Sequence, residues 1–287
     1  MAEINHYAIL GGDLRSAWLA VALAQGGDFV YAAGFERYAF PGIVRCRSVR
    51  EAVEQSNAVV LPLPVSRDGT HLFAPYSAQE IELTDELAAH LQSKCVFCGM
   101  RSTLPQTEAW QSLRLIDYAA EEEFAVRNAV PTAEGAIQIA LEETDRTLCG
   151  ARCLVVGYGR IGRVLARLLS AFGARVTVSA RKSRSLAEIE GCGWCAIETE
   201  HIRESGSYDI IFNTVPSPVL DSDTLRLCAP EALVLELASR PYGVDFDAAK
   251  RLNIPVILAS GLPGKTAPRA AGEIIRRVIR RYMQMLR

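Results

Sequence analysis

No apolar run in the sequence approaches the ~18 residues that span a bilayer, so nothing in it reads as a transmembrane helix. Neither charge is in excess: 31 Lys and Arg stand against 33 Asp and Glu, a formal charge of −2, which gives no electrostatic ground for expecting nucleic acid. Residues Met1 to His6 lack the basic-then-apolar pattern of a secretory leader, so a cytoplasmic protein is the expectation. There is no repeat of about 20–50 residues and no low-complexity stretch. With 49% apolar and 22% charged residues in 287, the composition is that of a soluble globular protein, which excludes disorder and a collagen-like fibre. The length fits one large domain or two ordinary ones.

Cysteine, by contrast, is plentiful. Eight are present, and Cys95/Cys98 and Cys192/Cys195 have C-x-x-C spacing. A zinc ribbon wants two such pairs about 15–20 residues apart, and these pairs stand in different halves of the chain. Cys192-Gly193-Trp194-Cys195 follows a helical stretch rather than opening a helix, so no helix N-terminus lowers a thiol pKa there. Reduced, structural thiols and no metal are expected.

Strand and helix signals alternate along the chain. Tyr7–Leu10, Phe29–Ala32, Ala58–Leu61, Lys94–Phe97 and Leu113–Asp117 read as strands, with a helix over about Leu14–Gln25. Near Pro131 the pattern changes. A helix is expected over Thr132–Thr144, then strands at Cys153–Val156, Arg175–Ser179, Ile210–Asn213, Leu233–Glu236 and Val256–Leu258. From Pro268 the apolar positions Ala271, Ile274, Ile275, Val278, Ile279, Tyr282 and Met285 keep helical spacing. Arg269, Arg276, Arg277, Arg280, Arg281 and Arg287 on that helix read as a solvated back rather than as a membrane or partner surface.

The strongest motif is Gly157-Tyr158-Gly159-Arg160-Ile161-Gly162. It follows the apolar strand Leu154–Val156, opens a helix over Arg163–Phe172, and is succeeded by the strand Arg175–Val178, the βαβ context that gives this fingerprint its meaning. Gly157 permits the tight turn, Gly159 lets backbone approach a pyrophosphate, and Gly162 lets helix pack on strand. The helix N-terminus then offers N–H groups to the phosphates. An NAD enzyme places Asp or Glu at the end of the next strand. This chain has Ser179-Ala180-Arg181-Lys182-Ser183-Arg184, which suits a 2′-phosphate. NADP is therefore the expected cofactor, with Ser179, Arg181 and Lys182 as contacts. Asn213, Thr214, Val215 and Pro216, at the end of another strand, are expected at the same crevice.

Ser239-Arg240-Pro241-x-x-Val244-Asp245 resembles the catalytic arginine segment of the D-2-hydroxyacid dehydrogenases, and Arg240 is placed to hold a carboxylate. That family needs a histidine as its acid–base group. The corresponding stretch, Gly261 to Pro268, has none, and the four histidines of the chain, His6, His71, His90 and His201, lie elsewhere. Simple 2-hydroxyacid chemistry, which must carry an O–H proton, is disfavoured.

A larger set of segments is similar to the A subunits of dipicolinate synthases, enzymes of spore-forming bacteria. It comprises Gly11-Gly12-Asp13, Asn128-Ala129-Val130-Pro131-Thr132-Ala133-Glu134-Gly135, the fingerprint, Asn213-Thr214-Val215-Pro216-Ser217, Ala238-Ser239-Arg240-Pro241-x-Gly243-x-Asp245-Phe246 and Gly261-Leu262-Pro263-Gly264-x-x-Ala267-Pro268. The resemblance implies oxidation of a dihydrodipicolinate-type ring to pyridine-2,6-dicarboxylate with NADP+ as acceptor, in the mother cell of a sporulating bacterium. It also implies a partner, the flavoprotein-like B subunit, and a homo-oligomer is expected. Oxidation to an aromatic ring needs no histidine, only a held ring and two neutralised carboxylates. Arg240 and Glu134 are the candidate catalytic residues, Glu134 as proton acceptor or as a solvated carboxylate near a helix start. Gly12, Asp13, Asn128, Thr132, Arg240, Gly261, Leu262 and Gly264 are the candidate substrate contacts, and Gly11-Gly12-Asp13 also reads as an ordinary turn. A reductase of another small carboxylate and a non-catalytic NADP-binding protein stay open.

The expected architecture is α/β, with two doubly wound parallel-sheet domains: a flavodoxin-like substrate-side domain over 1–127 and an NADP-binding Rossmann domain over 128–267. The C-terminal helix, 268–287, is expected to return to the first domain, with a shared cleft for the ligand.

Overall fold

The computed structural model describes residues 5–39, 43–226, 228–229 and 231–286. Met1 to Ile4, within the segment that lacks a leader pattern, and Arg287 lie outside the described residues. In chain order the elements are β1 (His6–Leu10), α1 (Leu14–Gln25), β2 (Phe29–Ala33), β3 (Val44–Arg45), α2 (Val49–Glu54), β4 (Ala58–Val60), α3 (Asp85–Leu91), β5 (Cys95–Cys98), α4 (Glu108–Gln111), β6 (Leu115–Asp117) and α5 (Glu122–Glu142). There follow β7 (Arg152–Val156), α6 (Arg160–Ala171), β8 (Arg175–Ala180), α7 (Ser183–Gly191), β9 (Cys195–Glu198), β10 (Ile210–Asn213), α8 (Ser222–Leu225), β11 (Leu233–Glu236), α9 (Phe246–Arg251), β12 (Val256–Leu258), α10 (Leu262–Thr266) and α11 (Pro268–Met285). The chain divides into two compact units, Met1–Asn128 with Pro263–Arg287, and Ala129–Leu262.

Each unit is built on a six-stranded sheet, and every strand pairing within it is parallel. The first runs β3-β2-β1-β4-β5-β6, which without the two-residue β3 is the flavodoxin order. The second runs β9-β8-β7-β10-β11-β12, the 3-2-1-4-5-6 order of dinucleotide-binding domains. The α/β class, the doubly wound sheets and the returning C-terminal helix are as expected. Sequence pattern misses β3, too short to show alternation, and β9, a strand with no fully buried residue whose start coincides with the second C-x-x-C pair.

Strand residues alternate between two layers in the first unit. Tyr7, Ile9, Val30, Val60 and Phe97 pack with α1 and α11, while Ala8, Leu10, Val59, Leu61 and Val96 pack with α2, α3 and Trp110. Burial of both faces is why these strands read as continuous apolar runs. α11 lies against α1 so closely that a Cβ on Gly272 would stand 2.7 Å from Leu19 N and 2.8 Å from Arg15 O. Its arginines are largely engaged within the unit: Arg276 with Glu273 (2.8 Å), Arg280 with Asp28 (3.2 Å), and Arg281 with Glu121 (2.5 Å) and Glu123 (2.9 Å).

One expectation needs correction. The helix expected from Thr132 begins at Glu122, with Pro131 inside it. An interior proline costs about 3 kcal/mol, and burial of Phe124, Ala129, Ala133, Ala136, Ile137 and Ala140 along the helix outweighs it. Glu134 is therefore in the body of α5, not in a first turn where the helix dipole would steady it.

Candidate active site

The turn between β7 and α6 is packed hard on one side and open on the other. Gly157 has φ +96°, its N–H donates to Ser179 O at 3.1 Å, and a Cβ on it would sit 2.6 Å from Val215 Cγ2. A Cβ on Gly162 would overlap the Gly157 carbonyl oxygen. Gly159 differs: nothing lies within 4 Å of a Cβ there, and no side chain caps the helix it begins. Uncapped N–H groups, the positive end of a helix and vacant space beside a glycine make an anion cradle. The residues fit the pyrophosphate of a nicotinamide dinucleotide. Tyr158, between the first two glycines, is braced by the Arg163 guanidinium 4.2 Å over its ring and by Trp194 edge-on at 6.5 Å.

Beyond the ends of β8 and β9 lies a cavity of about 590 Å³ lined by Arg181, Thr199, Arg203, Val219 and Thr224 among others. Arg203 is engaged with Asp221 and Asp223, and Arg184 with Glu188. Arg181 and Lys182 are exposed and form no ion pair among the described residues. Ser179, expected as a ligand contact, has no accessible surface, and its Oγ accepts from Gly157 N at 3.3 Å and from Thr199 Oγ1 at 3.4 Å. It braces the glycine turn from beneath.

At the ends of β10 and β11 a buried network ties two loops together. Asn213 and Glu236 are both fully buried. Asn213 Nδ2 donates to Glu236 Oε1 and Oε2 at 2.8 and 2.9 Å and to Val215 O at 3.0 Å, while its Oδ1 accepts from Val215 N. Asn213, like Ser179, thus shapes the crevice rather than facing it. Thr214 Oγ1 donates to Val156 O at 2.8 Å, and Thr214 and Val215 press on Gly157. Arg240, in the loop that follows β11, is exposed. Its nearest polar partner is Tyr242 OH, at 3.4 Å from Nε. Asp245 does not pair with it, since Asp245 caps α9 by accepting from Ala248 N at 2.8 Å.

The equivalent turn in the first unit, Gly11-Gly12-Asp13, is closed. Gly11 N donates to Ala33 O at 2.9 Å and Gly12 N to Phe73 O at 2.7 Å. Gly12 has φ +100°, and a Cβ on it would overlap Ser16 Oγ. Asp13 caps α1 by accepting from Arg15 N, and its carboxylate pairs with the Arg15 guanidinium at 2.8 Å. Arg15, only 7% exposed, also donates from Nη2 to Leu63 O at 2.6 Å. Gly264 completes this cluster: a Cβ on it would stand 2.9 Å from both Arg15 Nε and Asp13 Oδ2. The structure thereby brings Gly12, Asp13 and Gly264 together. Asn128 and Thr132 lie one helical turn apart on α5, Thr132 buried and Glu134 exposed. Gly261 precedes α10 with φ +67°, and Leu262 is a core side chain of the second unit.

Sequence reasoning missed Glu236 and Arg15. An acidic residue closing the apolar strand Leu233-Val234-Leu235 was the available signal for the first. All eight cysteines are free thiols. Among the described residues no helix is long and apolar enough to cross a membrane.

Comparison with known proteins matches two different family models to successive parts of the chain. Residues 6–119 match the family model for the N-terminal domain of the dipicolinate synthase A subunit, and residues 127–245 match that of the NAD binding domain of D-isomer specific 2-hydroxyacid dehydrogenases. The A subunit of dipicolinate synthase from Bacillus subtilis is 33% identical over 281 residues, covering 96% of this chain and 95% of that protein. The crystal structure of the dipicolinate synthase A subunit from Bacillus halodurans superposes with a TM-score of 0.87 at 30% identity, over 97% of each chain. A transhydrogenase from Sinorhizobium meliloti, with a TM-score of 0.67 at 14% identity, covering 99% of this chain and 94% of its own, shares the fold.

Proposed function

The chain belongs to the family of dipicolinate synthase A subunits and is an NAD(P)-dependent oxidoreductase; from that premise we propose that it oxidises a dihydrodipicolinate-type ring to pyridine-2,6-dicarboxylate, with NADP+ as the preferred acceptor. A nicotinamide dinucleotide, when bound, supplies the hydride-accepting carbon. The Gly157–Gly162 turn would hold its pyrophosphate, Arg181 and Lys182 its 2′-phosphate, and Thr214, Val215 and Pro216 would line its nicotinamide side, with Tyr158, Arg160 and Ile161 completing the turn. Ser179 and Asn213 act behind these residues.

The observation that carries the reading is an exposed Arg240 on a braced loop at the crest of the dinucleotide-binding sheet, in a chain whose few histidines lie elsewhere. Its guanidinium suits a carboxylate, which it can take through two parallel hydrogen bonds. Loss of a hydride and a proton from the dihydro ring gives an aromatic product, so the chain's work is orientation, charge neutralisation and acceptance of one proton. Glu134, exposed on α5, is our candidate acceptor for that proton. Asn128, Thr132 and the Gly261 backbone are kept as proposed polar contacts. Leu262 lies in the core, and Gly12, Asp13 and Gly264 already have their polar partners or close neighbours within the first unit. A B subunit is the proposed partner and the mother-cell cytoplasm the proposed location.

The test is the formation of NADPH and pyridine-2,6-dicarboxylate from freshly generated dihydrodipicolinate, with the chain alone and with its partner present. Product formation with NADP+ and no turnover of glyoxylate or pyruvate with NADPH is the expected result. Reduction of those oxo acids with no dipicolinate formed would make the protein a 2-oxo-acid reductase instead.

A further inference from the structure

We propose that Glu236 is a positioning residue that sets Arg240 for the substrate, so that one buried carboxylate governs substrate binding although it touches no ligand. The inference rests on the reading of Arg240 as the carboxylate clamp. Glu236 closes β11 with no accessible surface. Its Oε1 accepts from Asn213 Nδ2 at 2.8 Å and from Ala238 N at 2.9 Å. Its Oε2 accepts from Asn213 Nδ2 at 2.9 Å, Gly243 N at 2.9 Å and Val244 N at 3.0 Å. The carboxylate thus grips the loop that carries Arg240 on both sides of that residue, and through Asn213 it grips the Thr214–Pro216 loop as well.

Each of these hydrogen-bond partners is a donor, which the two acceptor oxygens of a carboxylate satisfy and a neutral amide does not. The loop it holds is strained: Tyr242 lies at φ +69°, a left-handed conformation that a non-glycine residue keeps only where surrounding structure over-determines it. The ties to Gly243 N and Val244 N immediately after Tyr242 supply that constraint. There is no slack on the other side either, since a Cβ on Gly243 would overlap Asn213 Nδ2 and stand 2.6 Å from Val215 O. Arg240 itself has little to hold it apart from this loop, with Tyr242 OH at 3.4 Å its one hydrogen-bond partner among the described residues.

Glu236→Gln keeps the shape but turns an NH2 toward backbone N–H donors. A misplacement of about 1 Å at a reacting centre can cost ~10²-fold in rate. The test is a double-mutant cycle on the full-length chain with Glu236→Gln, Arg240→Ala and the two combined. It reads kcat/KM for the dihydro substrate, the equilibrium Kd of pyridine-2,6-dicarboxylate by calorimetry, and NADPH affinity. We expect each single variant to lose about 10²-fold in kcat/KM, to bind the dicarboxylate more weakly and to hold NADPH nearly as before, and the double variant to be no worse than Arg240→Ala alone. Additive losses, or a Glu236→Gln protein with normal substrate parameters, would overturn the positioning role and leave Arg240 standing. An Arg240→Ala protein with normal kcat/KM and Kd would overturn the clamp and this inference with it. If Glu236→Gln does not fold, Gly243→Ala presses on the same tie with the carboxylate intact, and the same cycle decides.

Discussion

The two sheets begin alike and diverge at one turn. The first strand of each in chain order is buried and leads through a glycine-rich turn into a helix of 12 residues, at the same place in a parallel sheet. In the second unit the turn ends in an uncapped helix with clear space beside Gly159. In the first, Asp13 caps the helix, Arg15 neutralises the cap, and the Phe73 carbonyl occupies the Gly12 N–H. Strand order and glycines alone therefore do not make a dinucleotide site. Leaving the N–H groups unspent does, and the first turn has spent its own on stability.

The largest effect should come from breaking the closed turn. Asp13→Ala removes the cap of α1 and leaves the Arg15 guanidinium buried without its carboxylate, a loss of about 3–5 kcal/mol. Urea titration should show a drop of that order, with NADPH affinity unchanged in the folded protein. Weaker NADPH binding would mean that the first turn serves the cofactor.

On the open side, Arg240→Lys keeps charge but loses the fork. It should lower kcat/KM by about 10²-fold, ~2.7 kcal/mol of transition-state stabilisation, with melting temperature and NADPH affinity nearly unchanged. A destabilised protein with full kcat/KM would reassign Arg240 to loop structure. Arg181→Ala should weaken NADP(H) by roughly 10–150-fold, about 1.5–3 kcal/mol, and leave NAD(H) almost untouched. Equal weakening of both would show the 2′-phosphate read elsewhere.

The smallest effect concerns the thiols. Burial pushes Cys98 and Cys153 up to about 12 and Cys228 to about 11, whereas Cys149, Cys192 and Cys195 are exposed. A raised thiol stays protonated and unreactive, so at about pH 8 alkylation of the folded protein should reach the three exposed cysteines and spare Cys98, Cys153 and Cys228. Rapid labelling of Cys98 or Cys153 in the folded protein would contradict the packing.

How much of this could be read beforehand depended on distance along the chain. The fingerprint was visible because its strand, glycines and helix are contiguous, and the missing acid after β8 was visible for the same reason. Helix α5 was misread because Pro131 is a local stop signal that buried side chains on both sides override. Gly11-Gly12-Asp13 could not be told from a working turn, since what closes it is a carbonyl from the loop after β4. Glu236 was passed over because its partners come from two other segments, the end of β10 and the loop returning through Gly243.

The comparison turns most directly on Gly159→Ala. Its backbone is extended and a Cβ there meets no protein atom within 4 Å, so the substitution should leave folding intact while placing a methyl group where the pyrophosphate must approach. Measured on one preparation by thermal melting and NADPH titration, the variant should melt like the wild type and bind NADPH more than about tenfold more weakly, ~1.4 kcal/mol. Wild-type NADPH affinity in a normally folded Gly159→Ala protein would contradict the account.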